Sequence, residues 1–379
     1  MPTIKTLCVF GTRPDAIKMA PVVLELKRRP EFEVKVAVTG QHREMLDQVL
    51  SVFGIVPDTD LNIMVPGATL AQINARALNG LDPVLTEMKP DWVLAQGDTT
   101  TTFVAALTAF YHQVAFGHVE AGLRTGNLYD PFPEELNRLL TTRLATLNFA
   151  PTPEAVANLR AENVTEGAIV MTGNTVIDAL LQVAQGDYAP GDARLQAVFD
   201  DPRRMILVTA HRRENWGAPM ACIGQAVRTL VETHPDVIAV VALHRNPIVR
   251  ETLVPILSRM DRVRLIEPPD YVPFVKLQQK ATLILTDSGG VQEEAPSLGK
   301  PVLVLRETTE RPEGVQSGTA KLVGTDTNTI VTEASRLLSD PDAYAQMAHA
   351  ASPYGDGRAA ARIADALLQS PRGLARGKA

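Results

Sequence analysis

Carboxylates, basic groups and paired glycines recur in this chain just past short apolar runs, where a strand would end and a loop begin. Asp98 lies in Gln96-Gly97-Asp98-Thr99, Glu120 in His118-Val119-Glu120-Ala121-Gly122-Leu123-Arg124, and Glu134 in Pro131-Phe132-Pro133-Glu134-Glu135. These acids taken together, with Arg124 and Arg138 to hold anionic groups, suit acid–base work. Plainer roles exist for the same positions: Asp98 can cap the Thr-rich helix behind it, and Glu134 sits in the first turn of its helix, where negative charge is favoured.

A second constellation concerns phosphate. The run 281–286 breaks into Asp287-Ser288-Gly289-Gly290-Val291-Gln292-Glu293-Glu294. Ser288 is expected to cap the following helix, the amides of Gly289 and Gly290 to meet phosphate oxygens, and Glu294 to accept hydrogen bonds from a ribose diol. Gly11-Thr12-Arg13-Pro14-Asp15-Ala16-Ile17-Lys18 opens another helix with Pro14 in its first turn, and Arg13 and Lys18 bring two cations to it. His211-Arg212-Arg213-Glu214-Asn215 and Thr308-Thr309-Glu310-Arg311-Pro312-Glu313 each follow a strand-like run; Arg311 and Glu313 either line the same crevice or pair on the surface. His244, in His244-Arg245-Asn246-Pro247, is as well placed to satisfy backbone groups. Neither a Gly-x-Gly-x-x-Gly fingerprint nor a P-loop occurs, and no recurrent ligand spacing points to a metal.

The elements that must position these groups alternate. Apolar runs at 6–10, 33–39, 92–95, 114–118 and 147–150 read as strands, and 16–28, 43–53, 100–111 and 133–145 read as helices. Further strands are expected at 205–209, 237–242, 263–266, 282–286 and 301–305. Strand and helix in alternation mean parallel βαβ units, so the fold class is α/β with two doubly wound, Rossmann-like domains and a central cleft. The turn-rich stretch 185–191 marks the boundary region. Domains are expected over 1–172 and 173–358.

With 379 residues, 45% hydrophobic and 21% charged, the chain can build two cores. A formal charge of −6 argues against nucleic acid as a partner. Cys8 and Cys222 fall in a strand-like run and a helical pattern, which suggests neither a disulfide framework nor a zinc site. No leader and no membrane-length apolar segment is apparent, and a cytoplasmic location is expected.

In order along the chain, Gly-Thr-Arg-Pro-x-Ala-Ile-Lys-Met-Ala-Pro, Gln41-His42-Arg43-Glu44-Met45-Leu46, Gly97-Asp98-Thr99-Thr100-Thr101, His118-Val119-Glu120-Ala121-Gly122-Leu123-Arg124-Thr125, Pro133-Glu134-Glu135-x-Asn137-Arg138, Thr172-Gly173-Asn174-Thr175-Val176-Ile177-Asp178, His211-Arg212-Arg213-Glu214 and Asp287-Ser288-Gly289-Gly290-x-Gln292-Glu293-Glu294-Ala295-Pro296 resemble the bacterial non-hydrolysing UDP-N-acetylglucosamine 2-epimerases. The resemblance implies a glycosyltransferase-B arrangement, a homodimer, no cofactor, and interconversion of UDP-GlcNAc and UDP-ManNAc. It implies Asp98, Glu120 and Glu134 as acid–base groups, with His211 stabilising the departing diphosphate. Arg13, Lys18, Arg138, Ser288, Gly289, Gly290 and Glu294 would bind the nucleotide, with Arg311 beside them. A last helix, about 359–370, would return to the first domain, and Gln41, Glu44 and Arg76 would form an allosteric site.

Departures from the family pattern are local. Asp15 stands where Glu is usual, Phe132 where Trp is common, and Arg245 where a small or apolar residue is frequent. Glu44 replaces the Gln of strongly regulated relatives, so weaker or different activation is expected. Two other classes compete: a glycosyltransferase of the same architecture, which would need an acceptor, and a nucleotide-sugar sensor, which would have no use for opposed acids. A variant of the family reaction in which water intercepts the intermediate would release free sugar.

Overall fold

The computed structural model describes residues 3–40 and 43–370, without the side chains of residues 43–45. Among these residues two parallel sheets form. The first contains β1 (Ile4–Phe10), β2 (Phe32–Val38), β3 (Thr59–Asp60), β4 (Trp92–Gln96), β5 (Ala115–Val119), β6 (Leu147–Ala150) and β7 (Ile169–Met171), in the order β3-β2-β1-β4-β5-β6-β7. The second contains β8 (Arg204–Thr209), β9 (Val237–Ala242), β10 (Val263–Ile266), β11 (Leu283–Thr286), β12 (Val302–Val304) and β13 (Ala320–Leu322), in the order β10-β9-β8-β11-β12-β13. Both are doubly wound. The order reverses between β1 and β4 in one sheet and between β8 and β11 in the other, and loops leaving the carboxyl ends of such neighbours diverge and leave a crevice.

The central strands are apolar almost throughout because helices cover both faces. In β8, Ile206 and Val208 point into one core with Val227, Leu230 and Leu253, while Met205 and Leu207 point into another with Leu277, Val291 and Ala295. The two-residue period sorts successive side chains to opposite faces. Register then sets the loops level: Thr209 pairs with Thr286 across β8 and β11, and their hydroxyls bond at 2.6 Å.

Two compact units result, residues 1–179 with the segment from 354 onward, and residues 180–353. The division falls within the helix Thr175–Gln185 instead of at the end of β7. In the first unit the helix Ala359–Gln369 meets the helix Arg13–Arg28 through Arg29, which pairs with Asp365 at 2.5 Å and donates to the Ala361 carbonyl at 3.3 Å. Arg358 gives this last helix no side-chain cap. Asp178 supplies it, accepting from the amides of Ala359 and Ala360 at 3.1 and 2.8 Å. No helix among the described residues is long and apolar enough to cross a membrane.

Candidate active site

At the reversal point of the first sheet, Asp15 ties together the loops after β1 and β4. Thr12 caps the helix Arg13–Arg28, and Asp15 at its third position completes a capping box. Asp15 Oδ2 accepts from the amides of Gly11 and Thr12 at 3.3 and 3.2 Å and from Thr99 Oγ1 at 3.3 Å. Gly11 has to be glycine, since a Cβ there would stand 2.1 Å from Thr39 Oγ1 and 2.6 Å from Thr101 Oγ1. Burial pushes the Asp15 carboxyl up to about 6, only partly offset by its hydrogen bonds, and the charge of Asp98 adds to the rise.

Glu120 follows β5 with φ at +63°, a left-handed conformation that costs a non-glycine residue roughly 1–2 kcal/mol. The surrounding side chains hold it there. Lys18 Nζ and Asn174 Nδ2 donate to Oε2 at 2.5 and 2.9 Å, and Gln96 Nε2 donates to Oε1 at 2.6 Å. Its carboxylate lies against the Gly97 turn, next to Asp98: Oε1 is 3.8 Å from where a Cβ on Gly97 would be. The fully buried His118 holds this turn from behind, with Nε2 2.7 Å from the Gly97 carbonyl; burial lowers its pKa to about 4, so it is a neutral donor.

Asp98 is not the cap of the helix Thr100–Tyr111; Thr99 is, accepting from the Thr102 amide. The Asp98 carboxylate is left 29% exposed, with Oδ2 held by Arg138 at 2.5 and 3.1 Å, and Asn137 donates to its carbonyl at 2.9 Å. Arg138 is anchored in turn by the buried Glu135 at 2.8 Å. Glu134 begins the helix Glu134–Leu144 and Arg13 begins its own; both are half-buried and make no side-chain hydrogen bond among the described residues. Arg124 does not hold a free anionic site. Glu162 takes its guanidinium at 2.5 and 2.9 Å, and the Leu123 carbonyl and Thr142 take the rest.

The second sheet builds a different site at its own reversal point. Asp287, wholly buried after β11, accepts on Oδ2 from the amides of His211 and Arg212, both at 2.8 Å, and from Asn215 Nδ2 at 3.0 Å. Its Oδ1 faces His211 Nδ1 at 3.1 Å. Burial alone would raise this carboxyl, but the imidazole beside it and the two amides bring it below the usual range. The His211 ring stacks on His244, with centroids 5.4 Å apart and planes at 20°. His244 does satisfy the backbone, accepting from the Asn246 amide at 3.1 Å.

Ser288 stands at the cap position of the helix Gly289–Ser297, yet its hydroxyl makes no capping bond. The hydroxyl and the amides of Gly289 and Gly290 therefore stay available to an incoming acceptor, as helix N-termini offer anions. Around them Arg212 pairs with Glu310 at 2.7 Å and Arg311 with Glu293 at 2.5 Å, while Arg306 binds both Glu310 and, at 2.6 Å, Glu214. The surrounding arginines and backbone hydrogen bonding outweigh burial and draw the Glu310 carboxyl down to about 2. Glu294, in the same helix, accepts from the buried Gln278 at 2.7 Å.

Sequence spacing had marked the acids and glycines but not their clamps. Gln96, Asn174, Asn215 and Gln278 are neutral, and the only available signal was their place at a strand end or inside a motif. Arg76 is exposed and donates weakly to the Ile63 carbonyl at 3.4 Å. Gln41 and the side chain of Glu44 lie outside the described residues. No cluster of three metal-ligating side chains occurs among those described.

A sequence profile of the family described as UDP-N-acetylglucosamine 2-epimerase matches residues 24–368. The UDP-N-acetylglucosamine 2-epimerase of Escherichia coli (strain K12) is 56% identical over 369 residues, covering 96% of this chain and 98% of the relative. Among solved structures, a putative UDP-N-acetylglucosamine 2-epimerase from Listeria monocytogenes superposes with a TM-score of 0.92 at 50% identity, covering 98% of each chain. The UDP-GlcNAc 2-epimerase from Neisseria meningitidis, solved bound to UDP-GlcNAc, gives 0.84 at 50% identity over 97% of this chain and 100% of that one. The glycosyltransferase SnogD from Streptomyces nogalater, 17% identical with a TM-score of 0.58 over 97% and 96% of the two chains, shares the glycosyltransferase-B fold alone.

Proposed function

The chain belongs to the UDP-N-acetylglucosamine 2-epimerase family, and we propose that it is the isomerase that interconverts UDP-GlcNAc and UDP-ManNAc by inverting C2. The observation that carries this reading is Glu120: a carboxylate held in costly left-handed backbone by Lys18, Gln96 and Asn174, against the turn that bears Asp98. Strain of this kind persists where the surroundings over-determine a geometry, and here they aim an acid.

The C2 proton of the sugar is weakly acidic, so the C1–oxygen bond has to break as the proton leaves. In an anti elimination one carboxylate takes the proton, the C–H electron pair becomes the C1–C2 double bond of 2-acetamidoglucal, and UDP departs with the C1–O pair. UDP then attacks C1 again while C2 receives a proton on its opposite face, so two acid–base groups are needed. Asp98, Glu120 and Glu134 are assigned to that work. Ser288 and the amides of Gly289 and Gly290 hold phosphate oxygens, Glu294 the ribose, and Arg311 a neighbouring oxygen. His211, with Arg13, Lys18 and Arg138, stabilises charge on the departing diphosphate. We assign the protein to the cytoplasm as a homodimer, its product feeding surface polysaccharide synthesis.

Proton NMR of the purified protein with UDP-GlcNAc in D2O, nothing else added, tests the reading. Appearance of UDP-ManNAc carrying deuterium at C2 is expected. Retained UDP binding with unchanged spectra would overturn it, and turnover only with an added acceptor would indicate a transferase.

A further inference from the structure

We propose that Asp287 is a positioning residue for the reaction: it fixes which nitrogen of His211 carries the proton and where the other one points. This rests on the reading above that His211 meets the departing diphosphate.

The geometry divides the two oxygens of Asp287 between two tasks. Oδ2 gathers three donors from the loop after β8, the amides of His211 and Arg212 and the side chain of Asn215, so it fixes the backbone on which the imidazole stands. Oδ1 accepts no well-aligned hydrogen bond among the described residues, and Nδ1 of that same imidazole stands 3.1 Å from it. The carboxyl lies below its usual range, so Asp287 has no proton to offer, and a nitrogen 3.1 Å from its charged oxygen is favoured as N–H over a bare lone pair. Nε2 is then the nitrogen directed away from the carboxylate. Once protonated, it becomes a donor whose cation is balanced by a buried anion. A second imidazole restrains the ring plane: His244 stacks on it, and its own Nδ1 is occupied as an acceptor of the Asn246 amide. Burial and then the charge of His211 hold His244 below the usual histidine range.

A carboxylate serving only as a loop staple would also explain the three bonds to Oδ2. Asparagine at 287 separates the two roles. Its carbonyl oxygen can keep all three donors, whereas its NH2 group replaces Oδ1 and must donate to Nδ1, which forces the opposite tautomer. The test uses the full chain with 15N-labelled histidine, the His211 signals being identified by their loss in His211→Gln. Wild type is expected to show a protonated Nδ1 on His211, and Asp287→Asn to lose it.

In the epimerisation assay, Asp287→Asn is expected to lower kcat about 100-fold with KM changed by less than about three-fold, the lower end of what a positioned proton donor contributes. The double variant Asp287→Asn/His211→Gln should be no slower than His211→Gln alone, because the first residue acts through the second. Wild-type kcat in Asp287→Asn, or additive losses in the double variant, would overturn the proposal. So would an unprotonated Nδ1 in the wild type, a readout that stands even where the variant does not fold. A chain that showed the Nδ1 proton but no epimerisation would retain the Asp287–His211 pairing and discard the epimerase reading.

Discussion

In the first sheet the loops after β1 and β4 are joined by Asp15; in the second, those after β8 and β11 are joined by Asp287. Each carboxylate is out of water, sits at the point where strand order reverses, and accepts two consecutive backbone amides from the loop after the first strand of its sheet. Yet one is raised to about 6 and the other lies below the ordinary range. Asp287 has an imidazole at 3.1 Å and amides at 2.8 Å, whereas Asp15 has longer bonds of 3.2–3.3 Å and the like charge of Asp98. Burial raises both carboxyls, and what separates them is how far the partners supplied with each offset it. The first sheet collects acids at its strand ends, while the second gathers amides, arginines and an imidazole suited to an anion.

The strongest way to break this division is to remove an acid from the first sheet. Glu120→Gln or Asp98→Asn is expected to lower kcat by roughly 10²–10⁴-fold. Calorimetric UDP affinity should change by less than about ten-fold, since the glycine amides of the second sheet are untouched. Near-normal turnover in a folded variant would remove the acids from the mechanism.

The reciprocal experiment fills the amide cradle. A Cβ at Gly289 would meet Glu310 at 3.4 Å and Arg311 at 3.6 Å, ordinary contacts, and at Gly290 only Ser288 Oγ at 4.0 Å, so alanine fits both places in the folded chain. Gly290→Ala is expected to weaken UDP binding about 10–100-fold, 1.4–2.8 kcal/mol by the usual conversion, without lowering Tm. Unchanged UDP affinity would mean that the phosphates lie elsewhere.

How much of this was legible in the sequence depends on range. The long apolar runs of β1, β8 and β9 announce themselves because both faces are buried. The edge strands β3, β7 and β13 have two or three residues each and lie partly in solvent, so no periodicity marks them. Asp98, Glu120 and the 288–290 loop stand out by residue type at a strand end. The clamp on Glu120 does not, because its donors come from Lys18, Gln96 and Asn174, and topology alone brings these together. Asp287 and His211 meet across 76 positions for the same reason. Arg124 misleads in the other direction: its type suits an anion site, but a carboxylate 38 residues away occupies it.

A third prediction concerns Asp15 itself. Because its folded pKa is near 6 against 3.8 in the free side chain, the folded state binds the proton more tightly. Its contribution to stability is therefore present below about pH 4 and is lost as pH rises through 6, with a full swing of up to roughly 3 kcal/mol. Asp15→Asn keeps an acceptor oxygen for Gly11, Thr12 and Thr99 and removes the charge. Denaturant titrations at pH 5 and pH 8 should show the variant gaining about 1 kcal/mol or more over wild type at pH 8 and less at pH 5. An equal difference at both pH values would show that Asp15 is not perturbed, and the contrast with Asp287 would fail.

The smallest expected effect tests a second difference between the units: the segment 180–353 is continuous, whereas the first unit is completed by chain returning from 354. Asp178 accepts from the two amides that open the helix Ala359–Gln369, an end that its own sequence leaves uncapped. Asp178→Ala strips both bonds and should cost about 1 kcal/mol, the usual worth of a helix cap. Since the loss falls on the first unit, hydrogen exchange should quicken in the helices Ala359–Gln369 and Arg13–Arg28, which Arg29 and Asp365 join, and stay unchanged in β8 and β9. Faster exchange throughout residues 180–353 would mean that the returning segment stabilises both units together, and that the two sheets do not hold their sites independently.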